Sequence, residues 1–452
     1  MKMRKPFGVA LAVAMAVSAF AGCATATSGG EASPSAEGSV ISQAPVEGAT
    51  ELSLWTFVEL HAKFYQSMAE KWNAANPNEK ITVNVNVLPY DDMHNKLQIA
   101  LTSGQGAPDI ADIEAGKFPQ FVQGTPALLD LTSYAEQYKK DIVQARLDLF
   151  SSQGKLYGID FHVGTTVAFY NTELLESAGI DYKTIKTWDD YKAAGAKYYE
   201  KTGKHLGTVD TSALWQTNLL MGQLGGEYIG TDGKVNVDSP QLTKALEILK
   251  GLQDANAVAV PPGGQPDTEE AYGAYNNGDF AAAIMPFWFT SRYLAYMPDF
   301  KGKIAIAPAP VVDGAKVDTV GGGGTGTAVV AKGAHADLAA RFVAWAKLSK
   351  EGNIETWNQL GFDPLNTTVW SDESITHNPD NSFVQYFENN PFDPLLEVKD
   401  SIGHLQSLSN VAMPSVNNTF GTTTLNDIFE NGVSISDALG QAQSDLKNEL
   451  GQ

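Results

Sequence analysis

The chain has 452 residues, of which 43% are hydrophobic and 18% are charged. This length and composition predict a globular protein with two domains rather than a disordered chain. The formal net charge of −21 argues against nucleic acid as a partner and against binding to an anionic membrane surface. The single cysteine excludes a disulfide within the chain and a zinc cluster built on cysteines.

The N-terminal segment has the pattern of a secretory signal. Basic side chains at the start are followed by an apolar run from Pro6 to Phe20 and by small residues before Cys23. The run is shorter than the about 20 residues that a membrane-spanning helix needs. The sequence Phe20-Ala21-Gly22-Cys23 resembles the lipobox of bacterial lipoproteins, with Phe20 in place of the usual Leu. The resemblance implies a signal peptide at 1–22 and a lipid on Cys23; the alternative is an ordinary secretory cleavage.

Residues 23–50 are predicted to form a flexible tether. The segment after Cys23 is rich in Ser, Gly, Ala, Glu and Pro, and it offers too little apolar surface to order itself. A random coil of this length reaches roughly 30 Å. A lipid followed by such a tether would hold the folded part at the extracellular face of the cytoplasmic membrane, without spanning it.

The folded part begins with alternating strands and helices. Apolar alternation predicts strands at 51–56 and 81–87, and helical apolar spacing predicts helices at 64–76 and 91–101. The alternation predicts an α/β fold with mainly parallel strands, in which ligands bind outside the carboxyl ends of the strands. The region after 381 is predicted to be mostly helical. Further strands are predicted at 108–113, 166–170, 280–285, 303–307 and 327–331, and further helices at 172–178, 187–200 and 336–348.

Four stretches of the folded part carry a family resemblance. In order and spacing, over about residues 51–365, they are similar to the sugar-binding family of extracellular solute-binding proteins, the maltose-binding type that supplies ATP-driven importers. The opening segment Trp55-Thr56-Phe57-Val58-Glu59-Leu60-His61 is most similar to binders of arabinose-containing oligosaccharides. The four stretches are Leu101-Thr102-Ser103-Gly104 with Ala107-Pro108-Asp109-Ile110, residues 154–191 with Gly154-Lys155-Leu156-Tyr157-Gly158 and Phe169-Tyr170-Asn171-Thr172-Glu173, Asn277-Gly278-Asp279-Phe280-Ala281, and the glycine run at 321–324.

The resemblance implies a two-lobed periplasmic-binding-protein fold with a ligand cleft between the lobes. It implies three hinge crossings, near Val163, Gly323 and Gly361. It also implies a monomeric binding protein and not an enzyme, with an oligosaccharide as ligand, the permease subunits of an ABC transporter as partners, and neither cofactor nor metal. The implied lobes are 51–162 with 323–360 and 163–322 with 361–452.

Sugar chemistry selects candidate ligand-binding residues near the strand ends. The C–H faces of a sugar ring pack on aromatic side chains, and its hydroxyls bind carboxylates, amides, His and Arg. Trp55 and Phe57 can equally be core residues, and His61 can cap the next helix. The candidates in the first half are Trp55, Phe57, Glu59, His61 and Glu114, followed by Phe161 and His162 at the first predicted crossing.

The second half offers an aromatic run after a buried strand. Phe287, Trp288 and Phe289 are predicted to form a stacking platform, and Arg292 either donates to the ligand or pairs with an acid. Trp215 opens a predicted helix and can face the cleft or the core. The resemblance adds Gly322 and Gly323, where the backbone would approach the sugar or flex at the hinge, and it adds Asp363, Asn418 and Phe420 as cleft residues.

Two other functions stay open on the sequence. A lipid-anchored glycoside hydrolase would need two carboxylates about 5 to 9 Å apart, and Glu59 and Glu114 are candidates. The same fold could also bind a peptide, a metal or a polyamine. The aromatic content suits sugars better than polyamines. We therefore expect an oligosaccharide, and the family resemblance implies one that contains arabinose or xylose.

Overall fold

The computed structural model describes residues 38–452. The predicted signal peptide, Cys23 and the tether up to residue 37 lie outside the described residues. Within the described part, the strands are β1 (Ser39–Ile41), β2 (Thr50–Thr56), β3 (Ile81–Val87), β4 (Ile110–Glu114), β5 (Ser151–Ser152), β6 (Lys155–Leu156), β7 (Thr166–Asn171), β8 (Gly207–Thr208), β9 (Val258–Ala259), β10 (Ala282–Pro286), β11 (Ile304–Pro308), β12 (Thr319–Val320), β13 (Thr325–Val329) and β14 (Ile402–Gly403).

Nineteen α-helices lie between and after these strands in the described chain. They are α1 (Glu59–Ala75), α2 (Tyr90–Ser103), α3 (Phe118–Phe121), α4 (Thr132–Ala135), α5 (Gln144–Leu149), α6 (Thr172–Ser177), α7 (Trp188–Thr202), α8 (Trp215–Leu224), α9 (Pro240–Asp254), α10 (Glu269–Asn276), α11 (Thr290–Tyr296), α12 (Ala336–Leu348), α13 (Lys350–Glu355), α14 (Glu373–Thr376), α15 (Ser382–Tyr386), α16 (Asp393–Val398), α17 (Met413–Thr419), α18 (Leu425–Phe429) and α19 (Ile435–Leu450). None of the helices in residues 38–452 combines the length and the apolar character of a membrane span.

The first sheet has five strands in the order β1-β3-β2-β4-β13. Its centre is parallel, as the sequence predicts, because β2 pairs in parallel with both β3 and β4. The two edge pairs, β1 with β3 and β4 with β13, are antiparallel. The carboxyl ends of β2 and β4 therefore open on the same edge of the sheet, where ligands of such folds bind.

The second sheet, in the order β10-β7-β11, is antiparallel throughout. The prediction of mainly parallel strands is wrong for this sheet, because continuous apolar runs such as 281–285 reveal burial and not strand direction. Side chains of β7 alternate between two apolar cores. Val167 and Phe169 belong to the first core, and Ala168 and Tyr170 belong to the second.

The chain passes three times between the two sheets. It leaves the first sheet after β4, returns from β11 to β13, and then sends its C-terminal helices to the core beyond the second sheet. Met413, Leu439 and Leu446 pack there with Leu220 and Leu246. This path divides the fold into two α/β parts that meet where the chain crosses.

Part of the predicted tether is a strand. Residues 39–41, which lie within the predicted tether at 23–50, form β1, with Ile41 paired to Val85. The backbone N–H of Val83 donates to Gln43 Oε1 over 3.0 Å, and Gln66 Nε2 donates to the Ile41 carbonyl over 3.1 Å. Composition alone misses this, because two β-prone residues are too short a signal until β3 offers them an edge.

Helix caps agree well with the predicted starts where a capping residue is present. Helix α7 begins one residue after Thr187, whose side chain accepts the N–H of Asp190 while Asp190 accepts the N–H of Thr187. Helix α1 starts at Glu59, five residues before its predicted start. Its N-cap, Val58, makes no side-chain cap, so the sequence carries no start signal there.

Candidate functional site

Two tryptophans and a glycine turn form one wall of the candidate site. Trp288 lies in the turn after β10, and its Nε1 donates to the Gly322 carbonyl over 3.2 Å. The Trp215 ring lies edge-on to it, with ring centroids 5.4 Å apart. Gly323 adopts φ +66°, and a Cβ there would lie 3.1 Å from Trp288 Nε1 and 3.6 Å from Trp215. Glycine is therefore required both by the backbone conformation and by the close approach of the two rings.

Of the three predicted platform aromatics, only Trp288 is part of this wall. Phe287 and Phe289 are fully buried. Phe287 packs on Phe392, and Phe289 packs on Tyr293. The prediction fails for these two residues, because a tight turn points consecutive side chains in different directions and the core receives two of the three.

An ion pair stands behind the Trp288 ring. Arg292 Nε donates to Asp267 Oδ1 over 2.8 Å, and its guanidinium carbon lies 5.2 Å from the centroid of the Trp288 ring. Burial by itself lowers the pKa of Arg292, but Asp267 and the nearby Tyr272 and Tyr296 raise it above its ordinary value. Arg292 thus pairs with an acid, and it also holds a cation against the face of the tryptophan.

Sequence reasoning missed the loop at 265–267, although this loop binds both Trp215 in the wall and Arg292 behind it. Gln265 Oε1 accepts a hydrogen bond from Trp215 Nε1 over 3.0 Å, and Asp267 binds Arg292. The two pairs are 50 and 25 residues apart in sequence, so no local pattern links them. The one available signal is a polar pair within a Gly- and Pro-rich loop before a helix.

A buried carboxyl group binds the backbone of Trp215 at the start of α8. Asp210 follows β8, and its Oδ2 accepts the backbone N–H of Trp215 over 3.0 Å. Its Oδ1 is buried without a partner among the described residues. Burial raises the pKa of Asp210 to about 8, against the opposing effect of the N–H and Gln216 contacts. Asp210, also missed by the sequence analysis, fixes the start of α8.

Glu114, another predicted binding residue, lies at the end of β4, where it is paired with Thr325 of β13. Its Oε2 accepts the Gly116 N–H over 2.6 Å and the Tyr90 hydroxyl over 3.0 Å. Burial raises the pKa of Glu114, and these two donors oppose the shift. A Cβ on Gly116 would lie 3.0 Å from Glu114 Oε2 and 3.2 Å from Asn417 Nδ2. Asn417 on α17 therefore reaches the immediate neighbourhood of Glu114 from the other part of the fold.

The two predicted residues of the C-terminal region, Asn418 and Phe420, do not take part in this contact. Asn418 is exposed, and its carbonyl accepts the Thr422 hydroxyl on a surface shared with α19. Phe420 is fully buried in the second core, 6.3 Å from the Tyr228 ring. Both depart from the prediction, because neighbouring helix positions point about 100° apart and the resemblance does not fix that phase. Asn417 is the residue of this helix whose amide approaches Gly116, the neighbour of Glu114.

The opening segment divides between surface and core. Trp55 is buried and has Lys96 Nζ 4.9 Å from its ring, whereas Phe57 is half-buried with the Tyr90 ring 5.1 Å away. Glu59 is exposed and forms a 3.2 Å ion pair with Lys63. Only Phe57 therefore contacts the surroundings of Glu114, through Tyr90.

A buried histidine connects Tyr90 to β4. The pKa of His94 is lowered to about 4 by burial, so its ring is neutral. His94 Nδ1 lies 2.7 Å from the Tyr90 carbonyl, and Nε2 accepts the Glu114 N–H over 3.1 Å. One neutral tautomer, with the proton on Nδ1, satisfies both contacts.

His61 and Phe161 belong to a buried polar cluster, which departs from their predicted role in binding. His61 Nδ1 lies 3.1 Å from Asp112 Oδ2, and its ring stacks on Phe161 with centroids 4.2 Å apart. Lys347 Nζ lies 2.8 Å from the Phe161 ring centroid and donates to Thr327 over 2.7 Å. All five side chains are buried. His61 Nδ1, Asp112, Thr327 and Lys347 each bind a neighbour within this cluster, so His61 and Phe161 pack here in a structural role.

His162 and Asp363 lie at a chain crossing. Asp363 is fully buried, and its carboxylate accepts the N–H groups of Gly164 over 3.0 Å and Thr165 over 2.8 Å. The His162 ring lies 4.9 Å from Phe362, and burial lowers its pKa to about 3. Asp363 holds segments of the crossing together, because the loop there needs acceptors for its backbone N–H groups. His162 packs on Phe362, and its Nδ1 is buried without a partner among the described residues.

A second buried pair joins the same crossing to the glycine run. Arg146 Nε donates to Asp160 Oδ2 over 2.9 Å, and its Nη2 donates to the Gly323 carbonyl over 2.6 Å. Asp160 Oδ1 accepts the Thr325 N–H over 3.0 Å. Burial alone raises the pKa of Asp160, but Arg146 keeps it below its ordinary range. The turn that carries Gly323 against the tryptophans is thus fixed from behind by a buried ion pair.

Comparison with known proteins finds relatives that are binding proteins. The arabinooligosaccharide-binding protein of Bacillus subtilis is 43% identical over 78% of this chain and 82% of its own length. The arabinooligosaccharide-binding protein of Halalkalibacterium halodurans is 38% identical over 90% of this chain and 91% of its own.

Solved structures share the fold at lower identity. An ABC transporter associated binding protein from B. animalis subsp. lactis Bl-04, in complex with beta-1,6-galactobiose, superimposes with a TM-score of 0.73 at 21% identity, over 89% of this chain and 98% of that one. A cyclic alpha-maltosyl-1,6-maltose binding protein from Arthrobacter globiformis superimposes with a TM-score of 0.72 at 21% identity, over 89% of this chain and 99% of that one. The two α/β parts are therefore the two lobes of this fold. The family described as bacterial extracellular solute-binding protein matches residues 59–352, and this chain belongs to that family.

Proposed function

We propose that this protein captures an arabinose-containing oligosaccharide and delivers it to the permease of an ABC importer. The observation that carries the proposal is the wall of Trp215, Trp288 and the Gly322–Gly323 turn. The half-buried Trp215 offers aromatic surface for the C–H faces of a sugar, with Trp288, which is 7% exposed, packed edge-on beside it. Glu114 at the end of β4 and Asn417 on α17 are the hydroxyl partners in this proposal. The relatives with 43% and 38% identity are named for the same class of ligand.

Capture would proceed by lobe closure, without covalent chemistry. Trp215 and Trp288 belong to the predicted lobe of 163–322 with 361–452, and Glu114 belongs to the lobe of 51–162 with 323–360. A sugar that touches both lobes favours the closed form by its extra contacts there. Small-angle scattering should show a smaller radius of gyration with saturating ligand. Unchanged dimensions would contradict closure.

The ligand class is tested by a panel of oligosaccharides. Arabino-, xylo-, malto- and fructo-oligosaccharides, each with its monosaccharide, are added to the purified protein and the midpoint of thermal unfolding is followed. A ligand of the native state raises the midpoint according to RT ln(1 + [L]/Kd). A shift with arabino-oligosaccharides supports the proposal. A shift only with another series, or with peptides, metals or polyamines, replaces the ligand and keeps the fold.

We also propose that the protein is anchored by a lipid on Cys23 after removal of residues 1–22, and that it acts as a monomer at the extracellular face of the membrane. The anchor is supported by the lipobox-like sequence at 20–23. Metabolic labelling with a fatty-acid analogue should mark the protein, and Cys23→Ser should release it from the membrane fraction. Label in that variant would contradict lipidation at Cys23.

A non-enzymatic role is the last part of the proposal. Among the carboxylates considered for hydrolysis, Glu59 is engaged with Lys63 at the surface, and Glu114 is engaged with Tyr90 and Gly116. Incubation with labelled arabino-oligosaccharide should return it intact. Release of shorter products by the purified protein would overturn this part and favour a lipid-anchored hydrolase.

A further inference from the structure

The N-terminal segment joins the first sheet at the edge where the parallel strands end. Strand β1 runs antiparallel to β3, and Ser39 pairs with Val87, the last residue of β3. Because β2 is parallel to both β3 and β4, the carboxyl ends of all three strands lie along this edge. Gly38 therefore enters the fold at the edge of the sheet that also carries Glu114, the last residue of β4.

Without β1, this segment would join the fold at the opposite edge of the sheet. Strand β2 begins at Thr50, which pairs with Ile81, the first residue of β3. The seven residues of β2 extend over about 20 Å. The pairing of β1 thus moves the point of attachment from the amino end of the sheet to its carboxyl end, by the length of one strand.

Side-chain contacts hold β1 in place in addition to the strand pairing. Gln43 Oε1 accepts the N–H of Val83 over 3.0 Å, and Gln43 Nε2 donates to the Gln66 carbonyl over 3.4 Å. Gln66 Nε2 in turn donates to the Ile41 carbonyl over 3.1 Å. The Ile41 side chain is half-buried against the first core, whereas Val40 is 65% exposed. The segment is therefore fixed to both β3 and α1.

The residue at the point of entry fits this path closely. A Cβ on Gly38 would lie 2.5 Å from the Val87 carbonyl oxygen and 2.5 Å from Leu88 Cδ2. A backbone oxygen within a sheet cannot move aside as the end of a side chain can. Glycine is therefore required where the chain meets the carboxyl end of β3.

The attachment point is the main influence on how an anchored protein of this charge lies at a membrane. Its formal net charge of −21 gives repulsion from anionic lipids, which opposes adhesion to the surface. With β1 paired, residues 24–37 remain between Cys23 and the fold. As a random coil, this length reaches roughly 20 Å, compared with the roughly 30 Å of the whole predicted tether. The attachment point is thus kept close to the membrane.

We propose that β1 is an orienting clip, which joins the lipid-anchored segment to the carboxyl edge of the first sheet and thereby turns that edge towards the membrane. This rests on the lipid anchor in the proposed function. The cleft edge of the first lobe then faces the membrane while the protein is still free of the permease. A chain attached at Thr50 would present the opposite edge.

The test measures how far the two ends of α2 lie from a membrane. Asp92, in the first turn of α2, lies near the carboxyl edge of the sheet, and Gln105, just after the helix, lies near the amino edge; both are exposed. Asp92→Cys and Gln105→Cys are labelled with a donor dye in the lipidated protein, where the lipid occupies Cys23. The proteins are inserted into phosphatidylcholine vesicles that carry an acceptor dye on their headgroups. Energy transfer should place position 92 nearer the membrane than position 105, by up to about 20 Å, the length of the 14-residue helix.

Variants of the clip supply the controls. Ile41→Asp places a charge at the half-buried position and should abolish or reverse the difference between the two labels, because the chain then joins the fold near Thr50. Val40→Asp, at the exposed position beside it, is the matched control and should keep the difference. A Gly- and Ser-rich insertion of about 20 residues after residue 30 lengthens the tether and should reduce the difference without changing the folded part. This second variant keeps the test decisive if Ile41→Asp is unstable.

The remaining outcomes separate the clip from the anchor. Equal distances for the two labels with the clip intact, or a shorter distance for position 105, would overturn the clip, as would a difference that persists in both Ile41→Asp and the lengthened tether. A protein that carries no lipid and does not float with the vesicles would overturn the anchor. The same labels are then measured on chains that begin at residue 23, carry Cys23→Ser, and are attached through an N-terminal hexahistidine to a nickel-chelating lipid. That measurement decides the clip independently of the lipid.

Discussion

The tryptophan wall and the chain crossing behind it use the same kinds of residues for different purposes. Trp215 in the wall and Arg292 behind it have one side bound to the protein and remain partly accessible, whereas Trp288 is 7% exposed. At the crossing, Arg146 and Asp160 are buried and meet only protein groups. Residue type alone therefore does not distinguish a binding position from a structural one. The difference lies in whether the neighbours leave a face or a polar atom free.

We expect the largest effect, a loss of stability, when the buried ion pair at the crossing is removed. Arg146→Met leaves Asp160 without its cation, and an uncompensated buried charge costs about 3–5 kcal/mol in the free energy of unfolding. Urea denaturation monitored by tryptophan fluorescence measures this loss.

The matched control for Arg146 is Arg341→Met, which removes a partly exposed cation paired with Glu79. Such surface pairs contribute little, so the control should be much closer to the unaltered protein. Equal losses from the two variants would show that the pair at the crossing is no more important than a surface pair.

A pH dependence is expected from His162 at the same crossing. Its pKa is about 3 in the folded protein and near its ordinary value of 6.5 when unfolded. Because the folded pKa is the lower one, the stabilising contribution is present above pH 6.5 and is lost as the pH falls below that value.

The change is measured as the difference between the unaltered protein and His162→Gln. That difference in unfolding free energy should decrease by about 3 kcal/mol from pH 7 to pH 4, on the scale of 1.36 kcal/mol per pKa unit. Subtracting the variant removes the contributions of other groups, such as Asp363, whose pKa of about 6 acts in the opposite direction. A difference that stays constant with pH would contradict the buried neutral histidine.

The wall is tested most directly within the aromatic turn itself. Trp288→Ala should weaken ligand binding by roughly 30-fold or more, the loss of about 2 kcal/mol expected of a central aromatic contact. Phe289→Leu, one residue along, changes a fully buried core ring. It should lower the unfolding free energy and leave the affinity of the folded protein unchanged. Calorimetric titration and urea denaturation of both variants separate the two roles, and a similar loss of affinity in both would refute the assignment.

The sequence predicts this turn but not which of its three aromatic side chains faces the site. An aromatic run after an apolar strand indicates a strand end where a ligand can bind, and Trp288 lies there. Which of Phe287, Trp288 and Phe289 turns towards the site depends on contacts with Phe392 and Tyr293, residues distant in the chain. Asp267 is missed for the same reason. Strand and helix positions follow from local periodicity, whereas strand direction in the second sheet and the pairings of the site are set by tertiary structure.

The smallest expected effect distinguishes two neighbouring asparagines on α17. Asn417 approaches Glu114 and Gly116 from the opposite lobe, whereas Asn418 points to the surface near Thr422. If a bound sugar lies between the lobes, Asn417→Ala removes one hydrogen bond, worth about 0.5–1.5 kcal/mol, and should weaken affinity by roughly 3-fold to 10-fold. Asn418→Ala should have no effect on affinity, and both variants should unfold at the same urea concentration as the unaltered protein. A greater loss from Asn418→Ala would mean that this helix presents its other face to the cleft in the ligand-bound protein, and that the contact near Gly116 belongs to the unliganded form alone.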